Sequence, residues 1–422
     1  MGGSETVGVE KPAGKKAPLM SVEEAIGLVT AGVSALGVEQ VAVALADGRV
    51  LAQDLPARRT QPPADMSAMD GYAVRGADIA QTPARLDVIG ESAAGRPFAG
   101  AVGPGQAVRI FTGAVVPEGA DTVVIQENTS RDGDIITTTA PTAALRNVRK
   151  KGCDFTAGTP GLFAGRRLTG RDIMLAAAMD HATLPVARRP RVALLQTGDE
   201  LVLPGTGTGT GKDSEIVVSN AFGLAALARR AGAEVTDLGL VRDDLSAIRA
   251  VVEQALSGAF DLVVSSGGAS VGDHDLMAPA LRAEGVELFV HKIALRPGKP
   301  LMFGSKSGVR VLGLPGNPVS SHVCAMVFLV PLLRALQGDA APGPATAPAR
   351  LAVDVPANDV RRDFMRARMD RHADGSVHVT PCASQDSAML SVLAAADCLL
   401  IRPPFAPAAQ AGDPCDIIPF DD

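Results

Sequence analysis

An apolar run that ends in paired serines and glycines constrains this 422-residue chain more than any other feature. In Leu262–Asp275 the valines suit a strand that is covered on both faces, and Gly267 and Gly268 let the backbone turn sharply and present bare N–H groups. Asp273 and Asp275 follow, and carboxylates in that place can hold a hard cation beside a ligand. The segment predicts a buried strand that feeds an anion-binding turn.

Strand and helix patterns alternate between residues 191 and 338, and helix-start signals such as Asn317-Pro318 separate them. This alternation predicts an open α/β sheet with helices on its faces. In such a sheet the ligand crevice lies beyond the carboxyl ends of the strands. The predicted strands are Val192–Leu195, Val235–Val241, Phe260–Ser265 and Leu288–Leu295.

The remaining patterns predict further domains, as the length of the chain requires. Ser21 and Glu24 form a capping box that predicts a helix over Val22–Leu36. Short alternating runs from 75 to 139, and others after a Pro/Ala/Gly-rich linker at 339–349, predict two β regions. The predicted organisation is a disordered lead at 1–18, a mixed scaffold domain at 19–61 plus 156–189, a β-rich inserted domain at 62–155, the α/β domain at 190–338 and a small β domain at 339–422.

Composition excludes several classes of protein. A net charge of −6, a pI near 5.6 and 3% aromatic residues argue against a nucleic-acid binder. Five cysteines without a C-x-x-C pair favour a reducing compartment, with the cytosol as the default, and argue against a zinc or disulfide framework. The lead has no secretion signal, and the longest apolar run, Val323–Leu333, is too short to span a bilayer.

Polar loops follow the predicted strands of the α/β domain. Thr197–Glu200 offers cation or ligand contacts from Glu200, although acids at a helix start also complement the helix dipole. Asp244 has two interpretations that the sequence does not separate: a helix N-cap and a ligand-binding residue. Asn317 can cap the helix that Pro318 opens, and the same geometry suits a phosphate.

Three cations lie within His291–Pro300. Lys292 and Arg296 would share one face if the strand continued, and Lys299 is held between Gly298 and Pro300. This spacing favours anion binding over a solvated surface. Three further polar residues lie outside the α/β region: Asp70 before Gly71, Thr112 at a strand end and Asp154 after a basic run. Taken alone, each is explained by the hydrogen bonding of a turn. The six histidines lack the helical pairing of a zinc enzyme, and no Ser-His-Asp order stands out.

Seven motifs taken together resemble the MoeA family, to which the gephyrin E domain is also related. The resemblance covers residues 19 to the end, and its motifs, in this order, are highly specific. They are Ser67–Ala73, Phe111–Ala114, Pro117–Asp121, Thr197–Leu201, Ser265–Asp273, Arg296–Pro300 and Leu314–Val319.

The resemblance implies a molybdopterin molybdenumtransferase, which converts molybdate and adenylylated molybdopterin to molybdenum cofactor and AMP with Mg²⁺. It also implies a MogA-like α/β domain and a C-terminal β-barrel. Glu200, Asp244 and Asp275 would serve the cation and the reaction. Lys292, Arg296 and Lys299 would bind phosphate or molybdate, and Ser266, Gly267, Pro315 and Asn317 would frame the pterin or nucleotide.

The resemblance further implies a homodimer whose cleft is built from two chains, so that Asp70, Thr112 and Asp154 would come from the partner subunit. A molybdopterin adenylyltransferase would be the upstream partner, and no nucleic acid or membrane would be involved. Two alternatives remain: a scaffold that binds a peptide through its terminal domain, as gephyrin does, and a molybdopterin adenylyltransferase. The second would not need the segments 66–73 and 111–119, and the residues leave open molybdate or tungstate as the oxyanion.

Overall fold

The structure is a computed structural model that describes residues 19–206, 214–267 and 276–420. The predicted lead at 1–18 and the acidic residues Asp273 and Asp275 lie outside these ranges. The α-helices of the described ranges are α1 (Val22–Thr30), α2 (Gly170–Ala178), α3 (Asn220–Arg230), α4 (Leu245–Ala255), α5 (Met277–Ala283), α6 (Pro318–Cys324), α7 (Val330–Leu336) and α8 (Leu390–Ala395).

The chain divides into two compact units. The inner unit is Val38–Val186, and the outer unit consists of the described residues up to Gly37 and from Ala187 onwards. Within the outer unit the Arg188 amide donates to the Gly37 carbonyl oxygen at 2.8 Å, where the chain leaves that unit and where it returns. The domain boundaries expected at 61/62, 155/156 and 338/339 remain predictions.

The inner unit is built mostly from short strands. The strands are β1 (Val38–Ala42), β2 (Leu55–Pro56), β3 (Met66–Ser67), β4 (Gly71–Val74), β5 (Arg85–Ser92), β6 (Gln106–Ile110), β7 (Thr122–Ile125), β8 (Thr129–Asp132), β9 (Ile135–Thr138), β10 (Val148–Arg149), β11 (Pro160–Leu162) and β12 (Thr183–Ala187). The alternating runs between 75 and 139 predict a β region, and the largest sheet of the unit has the order β7-β4-β6-β5-β9-β8. Strands β1–β12, β2–β11 and β3–β10 form separate pairs. Helix α2 begins at a capping box of Thr169 and Asp172.

The outer unit contains the predicted open α/β sheet. The strands of this unit are β13 (Arg191–Thr197), β14 (Leu201–Val202), β15 (Ile216–Val217), β16 (Glu234–Val241), β17 (Leu262–Ser266), β18 (Glu287–Lys292), β19 (Leu295–Arg296), β20 (Pro300–Lys306), β21 (Val309–Leu314), β22 (Ala347–Leu351), β23 (Arg362–Arg371), β24 (Val377–Pro381), β25 (Cys398–Arg402) and β26 (Pro414–Pro419). The α/β sheet has the order β16-β13-β17-β21-β20-β18. Its first four strands are parallel, β20 is antiparallel to β21, and β18 is antiparallel to β20.

Apolar residues cover both faces of this sheet. Along β17, Leu262 and Val264 pack in one core with α1, α3, α6 and α7, while Val263 packs in a second core with α4 and α5. All five residues of β17 are buried, because a strand in the middle of a doubly covered sheet exposes neither face. The sequence prediction of a strand covered on both faces is confirmed.

The helix that follows Asn317 is longer than its apolar run predicts. A π-helical segment, Ala325–Leu329, joins α6 to α7, and the whole helix Pro318–Leu336 is long and apolar enough to cross a bilayer. However, 72% of its most apolar stretch is buried inside the protein. Its apolar character therefore belongs to the core of the outer unit.

The C-terminal region forms a closed barrel of five strands within residues 347–420. The strand order is β23-β24-β22-β26-β25, and β25 pairs back onto β23. Closure removes the free edges that a small sheet would otherwise expose. The barrel packs on the α/β core through residues such as Phe364 and Leu399.

Two predicted elements differ from the structure. Helix α1 ends at Thr30 and not at Leu36, because Gly32 adopts a left-handed φ of 61° and the Leu36 amide donates to Leu336. The strand predicted over Leu288–Leu295 ends at Lys292, and the next strand, β19, pairs with β23 of the barrel. The premise that Lys292 and Arg296 lie on one strand face is therefore wrong.

Candidate functional site

Two acidic loops meet at the carboxyl edge of the parallel sheet. Strands β13 and β16 are neighbours, with Thr197 opposite Val241. The Asp243 amide donates to Asp199 Oδ1 at 3.2 Å, which ties the two loops together. Glu200 and Asp244 follow the paired strand ends at the same spacing, and both are exposed. The structure thus brings these two predicted carboxylates to the same edge of the sheet.

Asp244 is the N-cap of α4. Its Oδ1 accepts hydrogen bonds from the Ser246 hydroxyl at 2.5 Å and from the Ala247 amide at 2.8 Å. These bonds hold the pKa of the Asp244 carboxyl below its ordinary value, and the bond from the Ser246 hydroxyl has the largest effect. The carboxylate is therefore ionised at neutral pH and fixed in orientation.

Two turns converge beyond β17 and β21. Gly267 has φ +91° and its amide donates to Leu314 O at 3.2 Å, so that the turn runs beside the Pro315–Asn317 loop. A Cβ on Gly316 would lie 3.7 Å from Gly267 Cα. Ser266 is buried at 3% exposure just before the turn. The glycines of both loops let the two backbones approach closely.

Asn220 at the start of α3 holds these two turns together, and the sequence analysis did not identify it as a site residue. Its Nδ2 donates to Ser266 Oγ at 2.8 Å and to Gly316 O at 2.7 Å. In the sequence, Ser219-Asn220 is a helix-start pattern, which predicts a helix but does not single out the Asn220 side chain as a site residue. Asn220 is the first residue of α3, directly after the N-cap Ser219, and its side-chain amide is directed at the two turns.

Asn317 occupies the N-cap position of α6, but its side chain makes no capping hydrogen bond. Instead, Asn317 Nδ2 donates to Ser387 Oγ at 3.0 Å, and the Val319 amide donates to Ser387 O. Ser387 belongs to the C-terminal region. The predicted capping role of the Asn317 side chain is wrong, and the side chain links the crevice loop to the barrel.

The three predicted cations separate into two groups. Lys292 and Lys299 are exposed and flank the junction of β18 and β20, where Lys292 pairs with Pro300. Arg296 belongs to β19, and its guanidinium forms ion pairs with Asp363 and, at 3.5 Å, with Asp359. The hydrogen bond to Asp363 raises the pKa of Arg296, so that this side chain is always charged.

Arg296 also lines a cavity of about 220 Å³ against the barrel, together with Arg366, Arg402 and Gln385. Arg366 is 1% exposed, its Nη2 donates to Asp386 O at 3.1 Å, and its Nε has no hydrogen-bond partner among the described residues. Burial lowers the pKa of Arg366, because desolvation disfavours its charge. Three guanidinium groups around one cavity favour an anion there.

In the inner unit, Asp70 and Thr112 are in direct contact. Asp70 Oδ1 accepts from the Thr112 amide at 2.7 Å and from its hydroxyl at 2.8 Å. The hydrogen bond from the Thr112 amide is the main cause that lowers the pKa of Asp70. The bond from the Thr112 hydroxyl and the nearby charge of Arg109 lower it further. Arg109, which the sequence analysis missed, lies over the rings of Tyr72 and Phe111 at 5.2 and 4.7 Å.

Asp154 lies in a separate turn of the inner unit. Its amide donates to Gln61 O at 3.2 Å, and its side chain is exposed. The basic residues before it are partly paired, since Lys150 Nζ contacts Asp65 Oδ2 at 2.8 Å. The described residues show no hydrogen bond between the Asp154 side chain and Asp70 or Thr112.

The described carboxylates can supply only some of the ligands that a magnesium ion needs. Among residues 19–206, 214–267 and 276–420, no group of three or more His, Cys, Asp or Glu side chains could hold a metal. Asp275, the third predicted ligand, lies outside these ranges. Mg²⁺ commonly takes one or two carboxylates together with substrate phosphates and waters, and Glu200 and Asp244 match that demand.

Family models match three regions of this chain. Residues 20–179 match the MoeA N-terminal region (domain I and II), residues 193–335 a probable molybdopterin binding domain, and residues 348–420 the MoeA C-terminal region (domain IV).

Relatives with a known role match along most of their length. A molybdopterin molybdenumtransferase of Nostoc is 39% identical over 78% of this chain and 77% of its own, and one of Haemophilus influenzae is 35% identical over 89% and 92%. A solved molybdopterin biosynthesis MoeA protein of Pyrococcus horikoshii is 31% identical, with a TM-score of 0.78 over 96% of this chain and all of its own.

Proposed function

This chain belongs to the MoeA family of molybdenum cofactor biosynthesis, and from that premise we propose that it inserts molybdate into adenylylated molybdopterin with magnesium-dependent release of AMP. The relatives establish it as a transferase enzyme. The observation that carries the finer proposal is the carboxyl edge of the sheet, where two acidic loops and two N–H-bearing turns lie at neighbouring strand ends.

The turns of the crevice would bind the pterin and its phosphates. Backbone N–H groups near Gly267 and Gly316, which Asn220 holds in place, suit phosphate oxygens. Pro315 is buried and Asn317 is tied to Ser387, so the loop that frames the ligand is supported from the barrel. Lys292 and Lys299 would neutralise the pyrophosphate as AMP leaves.

Magnesium would be held by Glu200, Asp244 and Asp275. When bound, it supplies positive charge beside the pyrophosphate and weakens the bond to the leaving AMP. Within this chain, the Ser246 and Ala247 bonds orient Asp244 and keep it ionised. Glu200 is exposed and free to approach the cation after the Gly198 turn.

Molybdate would approach from the side of the barrel. The cavity beside Arg296 is lined by three guanidinium groups against one carboxylate, Asp363. Its volume of about 220 Å³ accommodates a tetrahedral oxyanion with water. Arg366 supports this site most directly, because its buried guanidinium has an N–H group that no residue in the described ranges pairs with.

We further propose a homodimer whose cleft takes Asp70, Thr112 and Asp154 from the partner subunit. Three large apolar side chains of the inner unit support a partner surface: Leu45 is 72%, Phe163 58% and Met174 75% exposed. Apolar surface on adjoining elements is typical of a protein interface. A molybdopterin adenylyltransferase would supply the substrate, in the cytoplasm.

The first test is AMP release by the purified protein with adenylylated molybdopterin and Mg²⁺, with and without molybdate. Molybdate-dependent AMP supports the proposal. Tight binding without turnover would favour a carrier or scaffold.

Two inactive variants test the roles of the residues. Glu200→Gln should abolish AMP release but retain the fold, whereas Glu234→Gln at the opposite end of the sheet should remain active. Mixing Glu200→Gln with Asp70→Asn tests the shared cleft, since mixed dimers would regain one complete site. Normal turnover by Glu200→Gln, or no recovery on mixing, would contradict the corresponding role.

A further inference from the structure

Two histidines lie ring against ring on the outer surface of the barrel, outside the site described above. The ring centroids of His372 and His378 are 4.1 Å apart, with 34° between the ring planes. His372 is exposed and His378 half-buried. They belong to the hairpin of β23 and β24, so neither contributes to the crevice or to the guanidinium cavity.

The strand register explains why the two rings meet. In the antiparallel pair β23–β24, His378 lies opposite Asp370, and the His372 amide donates to Ser376 O at the end of the hairpin. His372 is two residues beyond Asp370, so it lies diagonal to His378 on the same face. The hairpin backbone therefore fixes the separation of the rings, and Gly375, at φ +84°, makes the tight turn.

The surrounding charges favour a cation. Asp370 lies opposite His378, and Asp374 in the turn accepts hydrogen bonds from the Ser376 amide at 2.9 Å and from the Ser376 hydroxyl at 2.7 Å. Arg350 of β22 neighbours His378 in register, but its guanidinium donates to Gly412 O at 2.8 Å. Two carboxylates thus flank the rings, while the Arg350 guanidinium is engaged with Gly412.

We propose that His372 and His378 form a binding site for a divalent transition-metal ion, with Cu²⁺ and Ni²⁺ preferred. With metal–nitrogen bonds of about 2.0–2.1 Å, two imidazoles at a right angle have centroids about 4.5 Å apart, and two at a tetrahedral angle about 5.2 Å. The 4.1 Å in this structure is nearer to the first. A small rotation of the exposed His372 ring seats a square-planar ion.

The protein contributes two ligands and water completes the coordination. Among the described residues no third His, Cys, Asp or Glu side chain joins the pair in a metal-holding group. Water as the remaining ligand suits Cu²⁺ and Ni²⁺, which accept mixed nitrogen and oxygen ligands in a tetragonal plane. Copper binds more tightly than nickel or zinc in the general order of affinities.

The test uses the full-length, tag-free protein and Cu²⁺ alone. Calorimetry against a competing chelator gives stoichiometry and affinity, and pulsed electron paramagnetic resonance counts the imidazoles on copper. The wild type should bind one Cu²⁺ with two imidazoles. His372→Ala and His378→Ala should each weaken binding by about tenfold or more and leave one imidazole.

A matched control distinguishes the pair from general surface binding. Thr380→Ala changes a residue of the same strand without removing a ligand and should bind Cu²⁺ as the wild type does. Circular dichroism of each variant checks that the barrel is folded. Equal copper affinity in the wild type and in the variant that carries both His372→Ala and His378→Ala would overturn the proposal, and so would a signal from one imidazole in the wild type.

Discussion

Replacing Asn220 with alanine tests whether one amide supports the crevice. Asn220→Ala removes the bonds from Nδ2 to Ser266 Oγ and to Gly316 O, at 2.8 and 2.7 Å. Ser266 is buried, so its hydroxyl loses a partner that water cannot replace, which costs about 1–2 kcal/mol. Gly316 is exposed, so water can replace that bond at a cost of about 0.5 kcal/mol.

The expected total is about 2 kcal/mol. If the lost bonds hold the two turns in the geometry that binds substrate, kcat/KM for molybdate-dependent AMP release falls about 30-fold. The free energy of unfolding of the outer unit, measured with urea, should fall by about the same 2 kcal/mol. Both effects come from the same pair of hydrogen bonds.

Gln337 offers a matched control in the same unit. Its Nε2 also donates twice, to Ala231 O at 2.7 Å and to Leu333 O at 2.8 Å, and it is 2% exposed. Gln337→Ala should therefore destabilise the outer unit by about 2 kcal/mol while kcat/KM stays near that of the wild type. Equal loss of activity in both variants, or unchanged kinetics in Asn220→Ala, would refute the positioning role.

Three further predictions follow from single contacts. Gly71→Ala should destabilise the inner unit by about 3 kcal/mol or more, because its Cβ would lie 1.9 Å from Val124 O, whereas Gly170→Ala, with open space at its Cβ, should be tolerated in the same thermal melt. Arg366→Met should raise the melting temperature yet weaken oxyanion binding in calorimetry, because it removes a buried, incompletely bonded charge; a lower melting temperature would contradict this explanation. At Asp261, burial acts to raise the pKa, but the hydrogen bonds from Arg188 and from the Arg191 amide hold it below its ordinary 3.8. That stabilisation is present above about pH 4 and lost as the pH falls further, so the urea stability gap between wild type and Asp261→Asn should narrow from pH 7 to pH 3.

The α/β sheet and its crevice were predictable because their signals are local. The apolar run of β17 and the glycine at 267 specify a buried strand and a turn, and both occur as predicted. The strand that was expected to extend to Leu295 could not be bounded from sequence. Its last residues form β19 with β23, which lies far along the chain, and this non-local pairing has no local signal.

Side-chain partners were less predictable than backbone elements. Asp244 and Asn317 both precede helices, but only Asp244 caps its helix, because Ser387 of the distant C-terminal region captures the Asn317 amide. Arg296 appeared free to bind an oxyanion, whereas Asp359 and Asp363 of the barrel engage it. Asn220 was missed for the same reason, since its acceptors, Ser266 and Gly316, come from two other loops.

The hydrogen bond between Arg188 and Gly37 has a consequence for synthesis on the ribosome. The inner unit is one uninterrupted stretch of the chain. The chain leaves and re-enters the outer unit at residues that are hydrogen-bonded to each other, so the two ends of this stretch are anchored side by side. This stretch emerges complete while α1 still lacks α7 and the π-helical segment Ala325–Leu329, on which it packs. The inner unit can therefore fold first, and α1 is the earliest-made and among the last-docked pieces of the outer core.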